Sequence, residues 1–94
     1  MDFPETKKEA FMSCIEIALM KKGGFHHNLV VAKLNAHYNT SIMKCYENPE
    51  YLRAVLKEVY KEDYNSVVDL IKLVLDDVSD IEKEKAKFLK VMKS

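Results

Sequence analysis

The 94-residue chain holds only two glycines, two prolines and two cysteines. A β-sandwich or barrel needs turn residues every ~8–12 positions, and this chain cannot supply them, the more so because both glycines sit together at Gly23-Gly24. No apolar run approaches the ~18–20 residues of a membrane span. The opening segment MDFPETKKEAF lacks the basic start and apolar run of a secretory leader. A cytoplasmic protein with no membrane partner is therefore expected. Cys14 and Cys45 give no disulfide framework and read as free thiols of a reducing compartment. Fifteen basic residues balance fifteen acidic ones, so no net field draws the chain to nucleic acid or anionic lipid. Arg53 is the single arginine, which counts against base readout, where arginine dominates.

What the chain does have is helical period. Apolar residues make up 48% and charged residues 32%, the balance of an ordinary globular domain, and the length suits one domain over 1–94 with one core. The spacing predicts an all-α bundle of four long helices plus one short one, the longest of the four divided by a break. The segments are approximately 3–22, 26–38, 42–46 (short), 49–61, 64–78 and 80–93. In the first, Asp2 or Thr6 is a candidate cap, and Phe11, Ile15, Ala18 and Leu19, broadened by Met12 and Cys14, form the buried stripe. Gly23-Gly24 ends it. Val30, Val31, Leu34 and Tyr38 carry the second helix, and Asn39 to Ser41 form a turn.

The segment Asn48-Pro49-Glu50-Tyr51 matches the N-P-x-Y signal that adaptor domains read on mobile tails. Here it lies mid-domain, and Asn48 as N-cap, Pro49 as first helical residue and Glu50 at the positive end of the dipole make it a helix start. Leu52, Val55, Leu56, Val59 and Tyr60 then form one apolar face. That phase continues without a slip into Tyr64, Val67 and Ile71. A single helix over 49–78 would reach about 45 Å at 1.5 Å per residue, too long for a domain with a radius of gyration of about 12 Å. A break near 61–65, with Asp63 or Asn65 as cap, is expected. The segment after it, to Val78, is apolar on nearly every side and reads as central. Ser79-Asp80-Ile81-Glu82 is a capping box, and Ile81, Phe88, Leu89 and Met92 give the last helix a narrow stripe and an end free to fray.

Between Tyr38 and Ile71 the sequence resembles a small helical "output domain" family of ammonia-oxidising archaea. The likeness lies in Cys45-Tyr46-x-x-Pro49-Glu50-Tyr51-Leu52, followed by Val55-Leu56-Lys57 and Tyr60. The resemblance covers about a third of the chain and implies a helical fold and a role in signalling, with no catalytic residues to carry over. The family pattern often places glycine after the tyrosine at Tyr60; Lys61 stands there in this chain.

No chemistry-bearing constellation emerges, so no catalytic residue, metal ligand or cofactor is assigned. His26 and His37 share a helix face but stand three turns apart, about 16 Å along the axis, and no zinc-type spacing joins them to His27, Cys14 or Cys45. Cys45 lies too far before the Asn48 cap to be activated by the helix end. The acidic run Asp76 to Glu84 lacks the glycine and spacing of an EF-hand loop. Gly23-Gly24 lacks the spacing of a phosphate loop. Charge is nonetheless segregated: 63–80 holds five Asp against one Lys, and 81–94 five Lys against two Glu. Lys83, Lys87, Lys90 and Lys93 are accordingly the candidate phosphate contacts of an alternative, nucleic-acid-binding reading, and a helical bundle holding a small ligand or metal is a further alternative. The leading expectation is a non-catalytic regulatory domain that binds a protein partner or itself. Tyr38, Tyr46, Tyr51, Tyr60 and Tyr64 are its candidate interaction surface, because tyrosine joins an apolar body to a polar tip.

Overall fold

A computed structural model describes residues 5–78 and 81–93 of the chain. Five α-helices follow one another, α1 (Glu5–Lys22), α2 (Gly24–Tyr38), α3 (Pro49–Tyr60), α4 (Tyr64–Asp76) and α5 (Glu82–Lys93). Short 3₁₀ turns at Met43–Tyr46 and Lys61–Asp63 lie before α3 and before α4. The expected all-α bundle is what forms. The first cap, Asp2, and the Ser79-Asp80 part of the capping box lie outside the described residues.

Successive helices run antiparallel, and side chains bridge each pair. The Glu16 carboxylate stands 2.9 Å from His27 across α1 and α2, and Lys33 reaches Glu58 at 2.7 Å across α2 and α3. Lys22 at the end of α1 donates to Ser66 at the start of α4, so α1 packs on both α2 and α4. Lys85 donates to Asp76 at 2.6 Å where α5 folds back along α4. Helix α3 lies between α2 and α5. The core runs through the middle of this ring, and among the described residues it contains no polar or charged side chain apart from tyrosine hydroxyls. Fully buried Phe11, Met12, Ile15, Ala18 and Leu19 of α1 meet Leu52, Val55 and Leu56 of α3 and Val67, Ile71 and Leu75 of α4.

The connections explain why the helices end where they do. Of the two glycines, Gly23 takes a backbone conformation that L-residues rarely adopt, with φ of 150°. Gly24 already opens α2, two residues earlier than the sequence suggests. After α2, Asn39 adopts the left-handed conformation, which asparagine tolerates, and Thr40 N–H reaches back to the Leu34 carbonyl. Asn48 occupies the N-cap position of α3, but its side chain makes no cap bond; the backbone carbonyl receives the Tyr51 N–H at 3.0 Å. Pro49 supplies the first helical residue, as expected. The break after Tyr60 falls where the sequence placed it, and it is sharp. Lys61 is forced to φ 51°, ψ −114°, so that the chain turns within 61–63 and the long dimension stays at 34 Å.

Two expectations are corrected. Helix α4 does pack against α1, α3 and α5, as a central helix should, but it is not buried all round: Tyr64, Val67, Val68, Ile71 and Leu75 face the core, whereas Leu73 is 64% exposed. The C-terminal end of α5 is also pinned, not free. Arg53 donates to the Val91 carbonyl at 3.3 Å, and the Tyr64 hydroxyl donates to the Met92 carbonyl at 2.5 Å. Carbonyls that a helix end leaves unpaired are thus capped from α3 and α4.

The two glycines separate cleanly by experiment. Gly23→Ala forces a side chain into a disallowed φ and is expected to cost about 1–2 kcal/mol of unfolding free energy. Gly24→Ala, helical and with nothing within 4 Å of a new Cβ, should be neutral or stabilise by up to ~1 kcal/mol. Urea denaturation of both variants checks the sign.

Candidate functional site

The segment from Asn39 to Asn48 is the longest stretch without α-helix among the described residues, and clefts open along it. Ile42 and Cys45 turn inward and anchor it to the core, which leaves Met43, Lys44 and Glu47 outside and Tyr46 at the boundary. The Tyr46 ring meets Phe11 edge to face, with centroids 5.8 Å apart, and Phe11 meets Phe88 in the same way at 5.6 Å. Lys8 Nζ stands 5.4 Å above the Tyr46 ring and 3.1 Å from the Glu47 carboxylate. Helix α1, the 3₁₀ turn and α5 are thereby locked around one aromatic row.

Two clefts open on either side of Tyr46 and Glu47. The larger, about 490 Å³, is lined by Lys8, Glu9, Thr40, Met43, Lys44 and Asn48 together with those two residues. The smaller, about 190 Å³, is closed by Pro49, Glu84, Lys87, Phe88 and Val91. The larger falls within the volume range of ligand pockets, but those are walled mostly by apolar groups. Here charged side chains of both signs ring a few apolar ones, the anatomy of an interface patch with its apolar centre and polar rim.

The five tyrosines, close in sequence, do not share a surface. Tyr38 and Tyr51 stack at 4.5 Å with ring planes 13° apart, joining the end of α2 to the start of α3. Tyr38 remains exposed and Tyr51 half-buried, so the N-P-x-Y tyrosine is committed to packing. Tyr46 lines both clefts. Tyr60 and Tyr64 are core residues, 6% and 8% exposed. Tyr60 stacks on His26 at 5.3 Å, and its buried hydroxyl finds no hydrogen-bond partner among the described residues. Tyr64 caps α5 and carries Lys57 over its ring. The interaction candidates at the surface are thus Tyr38, Tyr46 and Tyr51.

The lysines divide as well. Lys83, Lys87 and Lys90 fall on one exposed side of α5 at spacings of four and three. Lys93 borders a different hollow with Lys57 and Asn65. The histidines do not converge: His26 stacks on Tyr60, His27 pairs with Glu16, and His37 lies near Glu58, whose carboxyl is held below its usual range chiefly by the hydrogen bond and charge of Lys33, with His37 a minor contributor. Among the described residues no three His, Cys, Asp or Glu side chains gather as metal ligands would. Among them, too, no helix is long and apolar enough to cross a membrane.

Burial sets the chemistry of the thiols and phenols. It pushes the Cys45 thiol up to about 11, with Glu50 adding to the shift against a weaker backbone hydrogen bond from Leu52. Cys14 is raised by burial alone. Burial also raises the phenols of Tyr46, Tyr60 and Tyr64. These groups are neutral and packed. Residues that periodicity did not single out include Ile17 and Phe25, 47% and 73% exposed, which no apolar neighbour in the stripe pattern flagged. Compared with protein-family models, curated proteins and solved structures, the chain matches none of them.

Two predictions follow from the buried groups. A raised folded-state pKa contributes stability that is complete below the unfolded value and lost above it. The unfolding midpoint should therefore hold up to pH 9.0 and fall as the pH climbs toward about 11, and maleimide should label Cys14 well before Cys45 in the native protein. The two core tyrosines should also part company when each loses its hydroxyl. Tyr60→Phe removes an unpartnered buried hydroxyl and should be neutral or stabilise by ~1 kcal/mol, whereas Tyr64→Phe should cost about 1 kcal/mol. Thermal melts of the pair provide the check.

Proposed function

We propose that this chain is a non-catalytic regulatory domain that acts by binding protein. The observation that carries this reading is the pair of clefts meeting at Tyr46 and Glu47. Their apolar centre of Met43, Tyr46, Phe88 and Val91 is rimmed by Lys8, Lys44, Glu47, Glu84 and Lys87. A partner segment with one apolar anchor and charges of both signs fits such a surface, and the exposed Tyr38 at the nearby end of α2 extends it. The segment that builds the clefts is also the one whose wording resembles the helical output-domain family, which supports a signalling role in a cytoplasmic, archaeal setting.

A photo-crosslinking residue at position 43, introduced in the native host, should trap one defined protein adduct, and Tyr46→Ala should abolish that adduct while the domain stays folded. The same residue at position 65, on the hollow bordered by Lys93, serves as the control. Equal trapping at both positions, or none at 43, would overturn the reading.

A second reading has one specific observation behind it, the Lys83, Lys87 and Lys90 row on α5. As phosphate contacts, these would give binding to DNA or RNA that weakens steeply with salt. Titration at two salt concentrations tests it, and the absence of binding at low salt removes it.

A further inference from the structure

Helix α1 has two usable faces, and the core takes only one. Phe11, Met12, Ile15, Ala18 and Leu19 point inward. On the opposite side Thr6, Ala10, Ser13, Ile17 and Met20 follow one another at spacings of four, three, four and three. That is the alternation of the a and d positions in a two-stranded coiled coil. Thr6, Ala10, Ile17 and Met20 are exposed, Ile17 and Met20 to 47% and 56%, and Ser13 is half-buried. No charged residue interrupts this row over the 18 residues of the helix, about 27 Å at the α-helical rise.

The flanks of the row are sorted by charge. With Ala10 and Ile17 at a, the e positions are Lys7, Cys14 and Lys21 and the g positions are Glu9 and Glu16. In coiled coils the e and g residues set partner and orientation. Antiparallel self-pairing opposes e to e and g to g, placing lysine against lysine and glutamate against glutamate. Parallel self-pairing opposes g to the e of the next heptad, which sets Glu16 of each copy against Lys21 of the other, twice by symmetry. Lys21 is exposed, and Glu16, though it holds His27 with one oxygen, keeps 32% of its side chain exposed.

We infer that the outer face of α1 is a docking surface for a second copy of this chain, paired in parallel about a two-fold axis along the Thr6, Ala10, Ser13, Ile17 and Met20 row. The inference rests on the protein-binding reading and names one partner for it, on a surface separate from the Tyr46 clefts. The small residues at 6, 10 and 13 allow close approach, and Ile17 and Met20 supply the apolar contact. A seam of one helix per copy lies at the small end of interface sizes, so the dimer is a weak, concentration-dependent one.

Sedimentation equilibrium of the full chain over a range of concentrations should show a reversible monomer–dimer equilibrium. Ile17→Glu should raise the dissociation constant ~10-fold or more by placing two like charges in the seam. Lys21→Glu should raise it about 3-fold, and the Glu16→Lys, Lys21→Glu double variant should recover to within about 2-fold of the parent. Ser13→Cys in a Cys14→Ala background should crosslink to itself on mild oxidation, because a d residue faces its own counterpart only in a parallel pair. Each variant's melting temperature is recorded so that unfolding is not mistaken for dissociation. A protein monomeric at every concentration, a dimer indifferent to Ile17→Glu, or a charge swap that fails to recover would overturn the inference. A monomer that still yields the adduct at position 43 would overturn it alone and leave the protein-binding reading standing.

Discussion

The structure depends on the burial of Phe11. Its ring is 1% exposed and is held edge-on between Tyr46 and Phe88. Three elements, α1, the turn before α3, and α5, meet at this one side chain. Aromatic pairs of this kind add ~0.5–1.5 kcal/mol each beyond the area they bury, and deleting a buried phenylalanine costs about 3–5 kcal/mol. Both figures are large against the few kcal/mol by which a domain of this size is stable. The same row of rings shapes the clefts, since Tyr46 cannot shift without losing its contact with Phe11. Surface and core are thus one object here.

Much of the helical order was legible because buried faces repeat with the helix. The stripe through Phe11, Ile15, Ala18 and Leu19 and the face through Leu52, Val55, Leu56 and Tyr60 could be read directly, as could the break after Tyr60. Length alone demanded that break. Periodicity, however, reports that a face is apolar without saying whether anything covers it. Val31 and Tyr38 kept the phase of α2 and are exposed, and Leu73 belonged to an apolar helix and points to solvent. Proximity in sequence misled in a similar way for the tyrosines. Residues 38 to 64 run from the end of α2 through all of α3 to the start of α4, with two turns between, so five rings were distributed to the core, a helix cap, a stacked pair and a cleft. The caps on α5 were illegible for another reason: Arg53 and Tyr64 serve a helix about 30–40 residues further on, and no local rule reaches that far.

Lys61 shows how the fold and the local chain disagree. Its φ of 51° with ψ of −114° suits glycine. A lysine there holds strain of about 1–3 kcal/mol, offset by the packing of Tyr60 and Tyr64 on either side. The exposed face of α1 is a different kind of tension, an apolar strip left to solvent on a helix whose other side is fully engaged. The first is a cost of keeping the domain compact; the second leaves apolar surface in water.

The Phe11–Phe88 contact also sets a schedule. Its two rings belong to opposite ends of the helix order, so the aromatic row cannot close while the chain is still being made. At ~5–20 residues per second, synthesis from Phe11 to Phe88 takes about 4–15 s. During that time the inner stripe of α1 has only part of its final covering. Helix α2, made directly after α1, is the first surface that stripe can meet, and the Phe88 side of the Phe11 ring stays open until the last helix is complete.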